Sequence, residues 1–104
     1  MMQQVKTHLQ ALQAVLQHHQ LWQAVAPEAA AFESQQPFAL DTMTATEWLQ
    51  WIFIPRMWAL LESNAPLPNK IAISPYIEEA LKEHQALPEL LTPLLALEQL
   101  LNDD

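Results

Sequence analysis

Glycine and cysteine are both absent from this 104-residue chain, and basic side chains are scarce, with four Lys and Arg against twelve Asp and Glu. Without glycine there is no Walker A loop and no dinucleotide fingerprint, because both need close backbone approach or positive φ. Helices must then end by other means, and the eight prolines can supply them. Without cysteine there are no disulfides, thiolate metal sites or cysteine nucleophiles, which fits a reducing compartment. A formal charge of −8 repels a phosphate backbone, so direct nucleic-acid binding is disfavoured. No apolar run approaches the ~20 residues that span a bilayer, and the glutamine-rich N-terminus is not a secretory signal. These absences predict a soluble, cytoplasmic protein that does not enter membranes.

What is present is apolar and helical. Hydrophobic residues make up 51% of a chain long enough for one compact domain with a single core, residues 1–104. Val5, Leu9, Leu12 and Leu16 recur in helical steps, with Trp22 further along the same broad face. This predicts a first helix from Met2 to about Val25, ended by Pro27. Residues 27–43 read as a connection with a short helical turn at Glu28 to Phe32, anchored by Phe32, Phe38 and Leu40. Thr44-Ala45-Thr46-Glu47 is a capping-box pattern, so a second helix begins near Thr44 and runs to about Glu62. Pro55 predicts a kink in it.

After a Pro-rich connector, Ser74 as N-cap and Pro75 at the first helical position predict a third helix to about Gln85. Glu78 and Lys82 would pair on its exposed side. The last helix begins near Pro88 or after Thr92. Its Leu90, Leu94, Leu97 and Leu101 repeat in steps of four, three and four, and further leucines widen the stripe. That is more apolar surface than one small neighbour needs, so these leucines are candidates for a homodimer or partner interface. The expected fold is all-α: a compact bundle of about four helices around the Pro-kinked, Trp-rich second helix.

That second helix is apolar on every side of a helical wheel and carries the lone arginine of the chain, Arg56. Asp41, Glu47, Arg56 and Tyr76 therefore form a candidate cluster. Arg56 would pair with Asp41 or Glu47 in an apolar setting, either to fix the entry loop or to line a small anion site. Other constellations are weaker. His18 and His19 point ~100° apart on a helix, and His8 and His19 lie ~16 Å apart, so no metal site is expected. Glu78, Glu79 and Glu83 read as a solvated acidic face, and Trp48, Trp51 and Trp58 as core. No nucleophile, base or cofactor motif is present, so the chain does not read as an enzyme.

Pro37-Phe38, Asp41-Thr42-Met43, Glu47-Trp48-Leu49-Gln50-Trp51, Ile54-Pro55-Arg56-Met57, Leu67-Pro68 and Ser74-Pro75-Tyr76 together resemble the bacterial YqcC-like family. The similarity covers nearly the whole chain, strongest from Pro37 to Tyr76. The resemblance implies a small helical cytoplasmic protein. It also implies an association with tRNA pseudouridine synthase C, whose gene commonly lies beside that of the family member. No catalytic residues come with it. The expected function is thus an adaptor that binds a protein partner. A carrier or sensor of an anionic ligand near Arg56 is the alternative.

Overall fold

Val5, Leu9, Leu12 and Leu16 are all fully buried on helix α1, Met2–His18. The computed structural model describes residues 2–102. Helix α1 stops well before Pro27. Gln20 adopts φ 60, Leu21 N–H donates to the Leu16 carbonyl at 2.8 Å, and Gln20 N–H donates to Gln17 at 3.1 Å. This is a Schellman motif with glutamine at the left-handed position usually held by glycine. Trp22 therefore lies beyond the helix and packs on the core from the connector.

The connector holds two 3-10 turns, Ala29–Glu33 and Pro37–Ala39. Of its three expected anchors only Phe38 packs against the core. Phe32 and Leu40 are exposed, while Ala39 and Met43 are buried in their place.

Helix α2 opens as α-helix over Ala45–Trp48, widens to a π-turn over Leu49–Phe53 and returns to α-helix over Ile54–Glu62. Its start is the expected capping box: Thr44 Oγ1 accepts from Glu47 N–H, and the Glu47 carboxylate accepts from Thr44 N–H at 2.8 Å. The π-turn precedes Pro55, with Ile54 N–H donating to the Leu49 carbonyl. Proline lacks a donor and its ring crowds the preceding turn, so a widened turn accommodates it. The helix ends in a second Schellman motif. Asn64 adopts φ 56, and Ala65 N–H reaches the Leu60 carbonyl at 3.0 Å.

Helix α3, Ser74–Ala80, is shorter than expected. Ser74 makes no side-chain cap; the Glu98 carboxylate accepts from Ile73 N–H and Ser74 N–H instead. Lys82 lies 3.4 Å from Glu79 rather than pairing with Glu78. Helix α4, Leu87–Asn102, starts near Pro88 and carries Pro93 inside it. Its Leu90, Leu94, Leu97 and Leu101 are buried together with the matching stripe of α1 in one apolar core. His19, just past α1, sits 3.2 Å from Glu89 in the first turn of α4, so the two helices run antiparallel. The architecture is an all-α bundle of four helices, and no helix among the described residues is long and apolar enough to cross a membrane.

The left-handed turns set a test. A non-glycine residue there costs about 1–2 kcal/mol, partly offset by the extra unfolded-state freedom of glycine. Gln20→Gly is expected to stabilise by about 0.5–1 kcal/mol and Gln20→Val to destabilise by about 1 kcal/mol, read from urea midpoints at constant m-value.

Candidate functional site

Three positions on one face of α2, Glu47, Gln50 and Trp51, meet a single residue of the connector. Gln50 is buried and pairs reciprocally with the Gln23 peptide: Gln23 N–H donates to Gln50 Oε1 at 2.8 Å, and Gln50 Nε2 donates to the Gln23 carbonyl at 2.7 Å. The Gln23 side chain completes the set. Its Oε1 accepts from Trp51 Nε1 at 2.8 Å, and its Nε2 donates to Glu47 Oε2 at 3.1 Å. The Thr44 amide, and then the Gln23 amide, hold the Glu47 carboxyl below the ordinary glutamate value of 4.5, against the opposing effect of desolvation.

A second feature is an aromatic cluster of Phe38, Trp48 and Tyr76. Phe38 and Ala39 both have positive φ, 59 and 48, where a bulky aromatic is disfavoured. The Phe38 ring stacks on Tyr76 at 4.3 Å and 10°, and meets Trp48 edge-on at 5.0 Å. Such pairs contribute about 0.5–1.5 kcal/mol each beyond burial, which offsets strain of similar size. Burial raises the Tyr76 hydroxyl above the usual tyrosine value. Phe38, Trp48 and Arg56 line two open clefts of about 340 and 280 Å³. The first also takes Phe32 and Ile52, the second Met57 and Ile73.

The expected cluster of Asp41, Glu47, Arg56 and Tyr76 does not form one hydrogen-bonded set. Asp41 is exposed and bonds Ser34, while Glu47 is occupied by Thr44 and Gln23. Arg56 is exposed and makes no ion pair among the described residues. It shares the solvent side of α2 with Pro55 and Ala59, so its apolar sequence neighbours face elsewhere. The expectation of a partly buried Arg56 pair is therefore corrected. So is the interface expected at Leu90, Leu94, Leu97 and Leu101: all four are buried in the chain's own core, and Leu95 is the leucine of α4 that is exposed.

Sequence reasoning passes over Gln23, Gln50, Glu98 and Asn102. Asn102 repeats the Gln50 device, accepting from Ile71 N–H at 2.7 Å and donating to the Ile71 carbonyl at 2.8 Å. A signal is present for Glu98, which falls four residues after Leu94 and three before Leu101, within the apolar stripe. Gln50, between Leu49 and Trp51, carries a similar one.

The class that the fold defines is an all-α helical bundle with two open clefts beside its aromatic cluster. Residues 4–100 match the family described as tRNA pseudouridine synthase C, DUF446. The chain is 62% identical over 104 residues to an uncharacterized protein of Haemophilus influenzae, covering 98% of it. It is 46% identical over 101 residues to the uncharacterized protein YqcC of Escherichia coli, covering 93% of that protein. The solution NMR structure of E. coli YqcC matches with a TM-score of 0.86 at 44% identity, over 99% of this chain and 89% of that one. The chain belongs to the YqcC-like family. In addition, 66 residues, 64% of this chain, are 50% identical to part of the tRNA pseudouridine synthase C of Pectobacterium carotovorum, of which they match 18%.

The Gln23 network can be probed from two of its positions on α2, Gln50 and Glu47. Gln50→Leu leaves the N–H and carbonyl of Gln23 without partners and should cost about 2–4 kcal/mol in chemical denaturation, whereas exposed Gln17→Leu should change stability by less than about 0.5 kcal/mol. At Glu47 the probe is pH. Because the Glu47 pKa is lowered in the folded chain, its contribution is fully present above the ordinary value of 4.5 and lost as pH falls through the lowered one. Glu47→Gln should therefore be less stable than wild type at pH 7, and the difference should shrink on acidification below that value, as urea titrations at each pH would record.

Proposed function

We propose that this chain is an accessory protein that docks on another protein, with tRNA pseudouridine synthase C as its partner, and that it has no catalytic role of its own. One observation carries this reading: a protein named tRNA pseudouridine synthase C contains a segment 50% identical to most of this chain, amounting to 18% of its length. Two modules joined in one polypeptide meet at high effective concentration, an arrangement that favours modules acting on the same process. The physical character of the chain supports it. A formal charge of −8 opposes direct binding of tRNA, so a role in the same process would run through a protein contact. The same reading places the chain in the cytoplasm.

Carriage of a small anionic ligand near Arg56 has less support, because the two clefts are open and lie at or just below the lower end of the size of small-ligand sites, about 300–1,000 Å³.

The test is titration of the purified chain into the pseudouridine synthase of the same organism, by calorimetry and sedimentation. A saturable complex with micromolar or tighter Kd is expected, with no saturable micromolar binding of tRNA by the chain alone at about 150 mM salt. Absence of a complex, or direct tRNA binding of that strength, would overturn the reading.

A further inference from the structure

Arg56 stands alone electrostatically. It is the single arginine in a chain with twelve acidic residues, yet it is exposed, with no ion pair among the described residues. The two acids that the sequence offered it are occupied elsewhere: Asp41 by Ser34, Glu47 by Thr44 and Gln23. Arg56 lines both clefts, as do Phe38 and the buried Trp48, so these three side chains make up the shared wall, or ridge, between them. Phe32 on the first cleft remains 42% exposed, a large apolar side chain left partly uncovered at the rim. Phe38 is held in the ridge by a backbone in the left-handed region, and such strain persists where surrounding structure over-determines it, often at binding sites.

We propose that the ridge and its two clefts form a docking groove for a protein segment carrying an acidic residue between two apolar side chains. The carboxylate pairs with Arg56, and one apolar side chain enters each cleft. Shape and charge together favour a protein segment. Two adjoining open clefts cannot enclose one small molecule as ligand sites normally do, but they accept successive anchors of a continuous chain. A guanidinium with no ion pair among the described residues, on the wall that both clefts share, selects a carboxylate in the middle. This inference rests on the accessory-protein reading and deepens it by placing the docking surface.

The experiment uses the full chain against a displayed library of random 12-residue peptides, followed by anisotropy measurements on selected peptides. Wild type should enrich peptides with an acidic residue flanked by apolar ones. Arg56→Glu should weaken those peptides at least about tenfold and shift the selected central residue to Lys or Arg. Phe32→Asp, at an exposed position, should weaken them while leaving the acidic preference intact. Circular dichroism checks that both variants remain folded.

No enrichment, or an acidic preference unchanged in Arg56→Glu, overturns the proposal. So does saturation by octanoate at micromolar concentration, which would favour a small carboxylate over a peptide. Failure of the two readings is separable. A synthase complex that persists in Arg56→Glu removes this groove but leaves the accessory role. Charge-reversible peptide selection without a synthase complex keeps the groove and removes the named partner.

Discussion

The reciprocal bond between the Gln50 amide and the Gln23 peptide is the contact on which the candidate site depends. A buried amide is costly unless both its donor and acceptor are satisfied, and here one peptide unit satisfies both at 2.7 and 2.8 Å. Because the Gln23 side chain also reaches Glu47 and Trp51, one connector residue is read by three positions of α2 spaced three and four apart. That spacing is a single helix face, so the segment after α1 cannot slide along α2 without losing the whole set together. Glu47 links this set to the capping box, tying the start of the helix to the end of the connector.

The same device recurs at the other end of the bundle. Glu98 and Asn102, four apart on α4, read the backbone of residues 71–74, Asn102 through both groups of Ile71 and Glu98 through two successive amides. There is no strand among the described residues, and the chain has no glycine anywhere, so the connectors lack both a ladder to join and an inexpensive turn residue. Polar side chains projecting from neighbouring helices take over the work of a sheet partner. The helix ends obey the same logic, with Gln20 and Asn64 adopting the left-handed conformation that glycine would otherwise hold.

How much of this is legible in the sequence depends on the range of the interaction. The apolar steps of α1 and α4, the capping box at Thr44 and the four-helix architecture can be read directly, since each is a local periodicity or a local exchange of hydrogen bonds. The end of α1 cannot. Pro27 is the stronger local stop, but the Gln50–Gln23 pairing lies 27 residues apart in sequence and needs residue 23 outside the helix. Ser74 departs from its local reading for a similar reason. Its capping chemistry is outcompeted by a carboxylate 24 residues away. The leucines of α4 form the expected stripe, but α1 covers it rather than another molecule, and a sequence does not reveal which of two stripes of like spacing will meet.

Arg56 shows how a small change of helical pitch alters a functional reading. A wheel drawn at constant 3.6 residues per turn across residues 45–62 ignores the π-turn at Leu49–Phe53, which inserts the equivalent of one extra residue and rotates the remainder of the helix by about 100°. With that rotation Ile54, Met57 and Leu61 face the core, and Pro55, Arg56 and Ala59 face solvent. The turn that accommodates Pro55 thus also places the arginine outside, beside Phe38 and Trp48, instead of inside against an acid. An interior arginine needs a partner from its own chain to be tolerated, whereas an exposed one on an aromatic ridge is free to take its carboxylate from another molecule. The proline, the π-turn and the exposed cation are therefore one feature, and it is this feature that gives an otherwise core helix an exposed, cationic side.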